Sequence, residues 1–242
     1  EIASRRKTIK TAIENLLSGE ILIVAGKGHE NYQEYKSKRL FSDRACINKY
    51  IKLKNRKLSY FWKTNIINEN LLVRKINVLK KILTVTTNSK IIKKNQIFVG
   101  LKGKNHDGNL FADDAIKNNA NAAIVCDYNK SKNSNIFKVK NSLKTFSKIS
   151  SSIRKVSNVN TIAITGSSGK TSFKDLLALS LNKLLPTTYS KNSFNNKFGV
   201  PQSLFSINFD DNFGVFEVGM DKKGEINDLS QLINPNVGVI TN

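Results

Sequence analysis

Cysteine is nearly absent from this chain: Cys46 and Cys126 stand far apart, with no CxxC pair and no Cys/His spacing of a metal site. A disulfide framework and a structural zinc are therefore not expected, and both thiols read as reduced. Long apolar runs are missing too. Nothing approaches the ~20 residues that cross a bilayer, and no charged-then-apolar leader opens the sequence. The cytoplasm is the expected location. Acidic residues are few, 18 against 40 Lys and Arg, giving a formal charge of +22. That excess favours polyanions in general. No recognition helix, zinc finger or aromatic RNA-binding strand can be read among the basic residues, so no specific nucleic-acid site is expected. The hydrophobic content of 39% in 242 residues is ample for more than one folded domain.

Apolar positions at Ile9, Ala12, Ile13, Leu16 and Leu17 recur at helical spacing and predict an opening helix stopped by Gly19. The run Ile21–Ala25 reads as a strand buried on both faces that delivers Gly26-Lys-Gly-His-Glu30 at its carboxyl end. Residues 47–75 mix Lys52, Lys54, Arg56, Lys57 and Lys63 with scattered apolar groups and read as a linker. A small α/β domain is expected over 76–157, with apolar Ile97–Leu101, a helical stretch at Phe111–Ile116 and a second strand at Ala122–Val125. From 158 to 242 strand-like Thr161–Thr165 runs into a glycine loop and a leucine-bearing helix, followed by strands at Gly214–Val218 and Val237–Thr241 with a helix at Glu225–Ile233 between them. The expected class is therefore multi-domain α/β, built on a parallel P-loop sheet. Only three strands of that sheet can be read, which predicts an incomplete last domain.

The chemistry concentrates at Thr165-Gly-Ser-Ser-Gly-Lys-Thr-Ser172. Glycines there let the backbone approach a phosphate, the following helix directs N–H groups at it, and Lys170 adds a positive point charge. Gly166, Ser167, Ser168, Gly169, Lys170, Thr171 and Ser172 are the candidate ATP-binding residues. Thr171 carries the hydroxyl that ligates Mg2+ in such loops. Glu217 closes a strand at the sheet edge where open α/β folds bind ligands, making Thr171 and Glu217 the candidate metal pair, and Lys170 and Glu217 the candidate catalytic groups. The bland alternative for Glu217 is a strand-end carboxylate facing water.

Three ordered motifs, the TGSSGKTS loop, Asn192–Pro201, and Glu217-Val-Gly with Gly224-Glu-Ile, resemble those of the Mur ligases of peptidoglycan synthesis. Thr87–Lys90 and Leu101–Gly108 extend the likeness to the branch that joins D-alanyl-D-alanine to UDP-N-acetylmuramoyl-tripeptide. The resemblance implies ATP and Mg2+ as cofactors and an acyl-phosphate route to an amide. It also implies a small domain holding the uridine diphosphate end through Ser89 and Lys102, with Asn195 and Asn196 on the substrate side. Two departures stand out: Asn88-Ser89-Lys90 replaces the family's Asp-Ser-Arg, and Asp221-Lys222 stands where Asn-His precedes the Gly-Glu-Ile motif. Residues 1–46 resemble a different piece, the carboxy-terminal tail of the diaminopimelate-adding branch, through Ala25–Gln33 and Phe41–Arg44. By that likeness Gly26 and Glu30 would contact the added amino acid, and His29 reads as a hydrogen-bonded loop residue. The only Met is Met220, so an in-frame fusion of two ligase pieces is the expected organisation. Another kind of P-loop ATPase and a basic nucleic-acid-binding module are the competing readings.

Overall fold

Two sequence stretches with very different patterning fold into two units in the computed structural model, which describes residues 4–26, 32–34, 38–71, 82–103, 106–126 and 132–242. The units meet in sequence between Leu58 and Ser59.

In the first unit α1 (Arg5–Asn15) buries Ile9 and Ile13 against Cys46, with Leu22, Val24, Phe41, Ile47 and Tyr50 packed around them. A two-stranded antiparallel ribbon, β1 (Tyr32–Glu34) and β2 (Lys38–Leu40), follows. Residues 21–25 are not a strand. They run as irregular chain, with Leu22 and Val24 packed on the helix while Ile21 and Ile23 are 88% and 83% exposed. Among the described residues no strand pairs with this segment, so its apolar residues gain cover on one side only. Arg5 donates from Nε to Asp43 Oδ1 at 2.8 Å, makes a second bond from Nη2 to Oδ2, and also donates from Nη2 to the Ala25 carbonyl at 2.9 Å.

The presumed linker is the longest helix of the chain's described part, α2 (Asp43–Leu71). Its hidden period lies at Ser59, Lys63, Ile66 and Ile67, which share one face and are all buried. Two of those four positions are polar, which masks the stripe in a hydropathy reading. Ser59 Oγ accepts from the Phe209 N–H at 2.9 Å and Lys63 Nζ donates to the Leu83 carbonyl at 2.9 Å.

The second unit holds two four-stranded, all-parallel sheets. The smaller has the order β3 (Thr84–Thr86), β4 (Gln96–Val99), β5 (Ala122–Val125), β6 (Ile136–Lys138), with α3 (Ala112–Lys117) and α4 (Ser142–Val156). The larger has the order β10 (Val237–Thr241), β7 (Asn160–Gly166), β9 (Phe213–Glu217), β8 (Thr187–Tyr189). Strand β8 corrects the count of three: Thr187–Tyr189 is too short to show a period in sequence, and its place at the sheet edge comes from pairing with β9. Helices α5 (Lys170–Leu184), α6 (Gly199–Phe205) and α7 (Glu225–Ile233) complete the unit. One hydrophobic cluster runs through both sheets, joining Ile66 and Ile67 of α2 to Ile97, Phe146, Leu204, Phe216 and Ile233. Among the described residues no helix is long and apolar enough to cross a membrane.

Candidate nucleotide site

Strands β7 and β9 are parallel neighbours with Ile164 opposite Glu217, so the loop after β7 and the carboxylate ending β9 emerge side by side at the carboxyl edge of the sheet. Gly166 ends β7 with φ at +139°, a conformation that glycine alone adopts readily. A Cβ there would lie 2.2 Å from the Thr241 carbonyl oxygen, so the close approach of β10 also demands glycine. Ser167, Ser168 and Gly169 are exposed, and α5 begins at Lys170. The Ser167 and Ser168 N–H groups converge on one oxygen, the Asn242 carbonyl, the latter at 2.8 Å. Lys170 folds back over the loop, its Nζ donating to the Gly166 carbonyl at 2.6 Å.

Glu217 does not face water: it is 1% exposed. Its Oε2 accepts from Thr171 Oγ1 at 2.9 Å, its Oε1 accepts from Asn195 Nδ2 at 2.9 Å, and its own N–H donates to Ser190 Oγ at 3.2 Å. Thr171 and Glu217 are thus brought together as the sequence pattern required. Gly219, two residues on, is the reason Asn195 can reach: a Cβ at 219 would sit 2.9 Å from the Asn195 side chain, while the Gly219 N–H donates to the Asn195 carbonyl at 2.7 Å. Asn196 is employed differently. Its Oδ1 accepts from the Phe198 and Gly199 N–H groups, both at 3.0 Å, and so organises the entry to α6.

Two residues at this site escaped the sequence reading. Lys174, one turn beyond Lys170, is fully buried with Nζ 2.8 Å from the Asn192 carbonyl, 3.2 Å from Asp175 and 4.0 Å from Glu217 Oε2. Ser190 lies at the end of β8, the strand the sequence did not reveal. Lys174 stands at i+4 from Lys170, which places both on one helix face, but that spacing does not tell a buried lysine from an exposed one. In the Gly-Glu-Ile motif, Glu225 Oε2 accepts from the Asp221 and Lys222 N–H groups at 2.7 and 3.1 Å, and these bonds hold its carboxyl below the usual range. Lys222 itself is exposed.

The remaining candidates are elsewhere. Ser89, in the turn after β3, is buried, and its carbonyl accepts from Asn118 Nδ2 at 3.0 Å. Lys102 follows β4 and bridges to Asp107. Adjacent parallel strands therefore deliver both to one edge of the smaller sheet. Gly26 belongs to the first unit, with φ at +108° beside the Arg5 guanidinium. Glu30 and His29 lie outside the described residues.

Residues 164–242 match the Mur ligase middle domain. The UDP-N-acetylmuramoyl-tripeptide–D-alanyl-D-alanine ligase of Rickettsia prowazekii is 38% identical over 159 residues, 65% of this chain and 35% of that one. The chain thus spans about a third of the length of the curated relatives it matches. Among solved structures, MurF from Acinetobacter baumannii aligns with a TM-score of 0.65 at 25% identity, covering 73% of this chain and 40% of that one. MurF from Thermotoga maritima in complex with ADP aligns with a TM-score of 0.57 at 29% identity, covering 65% and 36%. Residues 164–242 thus match the Mur ligase middle domain, and over its matched stretch the chain is similar to ligases of that family.

Proposed function

We propose that this chain supplies the nucleotide-binding and UDP-substrate-binding parts of an ATP-dependent ligase that joins D-alanyl-D-alanine to UDP-N-acetylmuramoyl-tripeptide. The observation that carries the reading is Thr171 meeting the buried Glu217 at 2.9 Å beside the Gly166–Lys170 loop. The relatives named for this reaction and the ADP complex of a structural neighbour support it. In this reading residues 76–157 form the UDP-substrate domain, with Ser89 and Lys102 as contacts, and residues 158–242 form the ATP domain.

The donor set fits Mg2+: Thr171 would offer a hydroxyl and Glu217 a carboxylate, both hard oxygen ligands. When bound, the cation would neutralise charge between the terminal phosphates. Lys170 swings from the Gly166 carbonyl to the β- and γ-phosphates. The backbone of Gly166–Gly169 lines the phosphate, with the Ser167 and Ser168 N–H groups as donors to its oxygens. Asn195 holds Glu217 in place from the other carboxylate oxygen. A substrate carboxylate oxygen then attacks the γ-phosphorus and ADP leaves. The amine of the incoming dipeptide attacks the resulting acyl carbon, expelling phosphate. Gathering anionic reactants around fixed positive groups is where the rate gain arises. For the first unit, Gly26 and Glu30 remain our candidates for contact with an added amino acid.

Calorimetric titration tests this reading. The chain should bind Mg-ATP and, separately, UDP-N-acetylmuramoyl-tripeptide, while Lys170→Ala should lose the first and keep the second. Nucleotide binding without any response to the muramyl substrate would point instead to a P-loop ATPase of another kind.

A further inference from the structure

Most buried lysines are rare exceptions that must be explained by a partner. Lys174 is completely buried, and neither the phosphate loop nor the metal pair requires it. It sits on the first turns of α5, the helix whose start carries Lys170 and Thr171. Its ammonium reaches three acceptors on three different pieces of chain: the Asn192 carbonyl at 2.8 Å, Asp175 on its own helix at 3.2 Å, and Glu217 of β9 at 4.0 Å. Asn192 has φ at +50° and opens the loop that carries Asn195 and Asn196 into α6. Asn195 in turn donates to the far oxygen of Glu217. Lys174, Asn192, Asn195 and Glu217 therefore close a ring of contacts with the nucleotide loop on one side and the Asn192–Asn196 loop on the other.

We propose that Lys174 is a positioning residue that couples the nucleotide site to the Asn192–Asn196 loop, tightening that loop when a divalent cation engages Glu217. The inference rests on the ATP reading above and concerns how that same site is linked to its surroundings. In the cation-free chain the Lys174 ammonium already donates to the Asn192 carbonyl at 2.8 Å and lies 3.2 Å from Asp175, with Glu217 drawing on it from 4.0 Å. A cation held by Thr171 and Glu217 would take up the carboxylate's charge, leaving the pull of the Lys174 ammonium to the Asn192 carbonyl and Asp175 alone and so strengthening contacts that already exist. The bond to Asn192 shortens the loop's freedom, and through Asn196 it stabilises the N–H groups of Phe198 and Gly199.

Hydrogen exchange of the 192–200 amides in the whole chain tests this, read with Mg-ATP and with ATP plus EDTA. Exchange should slow about tenfold with Mg-ATP, within the ordinary range of coupling between sites, and stay unchanged with ATP plus EDTA. Lys174→Gln keeps a donor for the Asn192 carbonyl but removes the charge. It should still bind Mg-ATP and lose the protection of 192–200, whereas Lys174→Arg should retain it. Full protection in Lys174→Gln, or equal protection with and without Mg2+ in the unsubstituted chain, overturns the proposal. The second comparison decides even where the glutamine variant does not fold. Failure of the unsubstituted chain to bind Mg-ATP at all is a different result: it removes the ATP reading and this inference together.

Discussion

Gly166 and Asn195 show how single residues build the site. At Gly166 both the backbone angle and the 2.2 Å approach of the Thr241 carbonyl to a would-be Cβ exclude any side chain. Gly166→Ala should cost about 2 kcal/mol or more, the strain and the displaced strand adding. Urea denaturation of the two chains checks the size. At Asn195 the amide satisfies half of a carboxylate that has no access to water. Asn195→Ala should destabilise the ligand-free chain by about 1–3 kcal/mol, the usual cost of stranding a buried polar group. Mg2+ should recover part of that loss, and a melting curve unmoved by the substitution would contradict this account of Glu217. The meeting of Thr171 and Glu217 was legible from the strand-end position of the latter and the place of the former after Lys170. Lys174 was not, because its importance is a matter of burial, and its sequence context is that of any lysine on a helix.

Among the elements, α2 is the longest that the sequence hid. Its face holds Lys63, whose ammonium lies 5.6 Å from the centre of the Phe205 ring and whose side chain is fully buried. Burial lowers the Lys63 pKa to about 7, against a raising influence of Asp211. Burial likewise raises Asp211 to about 6, partly opposed by its bond from the Asn208 N–H. The signs are opposite in pH. Asp211 in the folded chain holds a proton that the unfolded chain has released between about pH 4 and 6, so stability falls as pH rises through that window. Lys63 in the folded chain is neutral while the unfolded chain is charged between about pH 7 and 10.5, so stability rises there. Melting temperatures should pass through a shallow minimum near neutrality, and Lys63→Met should remove the alkaline rise. The same helix buries Asn68, whose Nδ2 and Oδ1 find no partner among the described residues. Asn68→Leu should therefore be neutral or stabilising by up to about 2 kcal/mol, readable in chemical denaturation.

For the second unit as a whole, Arg154 is the fastening between its two sheets. At the end of α4 it donates to the Ile233 and Asn234 carbonyls at 2.8 and 2.9 Å, and to Thr161 Oγ1 and Asn236 Oδ1 at 2.9 and 3.2 Å. Those acceptors belong to the edge of β7 and to the turn after α7, where Asn234 takes a left-handed angle. Arg154→Met keeps the apolar stem and removes the donor to the Ile233 carbonyl, while the Asn234 carbonyl and Asn236 Oδ1 keep bonds from Thr161. It should destabilise the unit by about 1–3 kcal/mol, the usual cost of leaving a buried neutral acceptor without its donor. Calorimetry should then show a broadened transition, because the two sheets would no longer melt together.

At this largest scale the limits of sequence are physical. Local patterning determined the phosphate loop, α5, α7 and the strands β5, β7, β9 and β10, because each is an apolar run or a glycine turn whose signal lies within a few residues. Motif order then tied the loop to Glu217 and the chain's last third to the Mur ligase middle domain it matches. Long-range packing decided the rest. Residues 21–25 carry the composition of a buried strand and lack a partner among the described residues, since pairing is not a property of the segment itself. Segment 47–71 is a helix because Ser59 and Lys63 find acceptors and donors in chain far away in sequence. Lys174 became a bridge only when β8 and β9 brought Asn192 and Glu217 to it, and no local pattern can announce a contact whose two halves are separated by tens of residues.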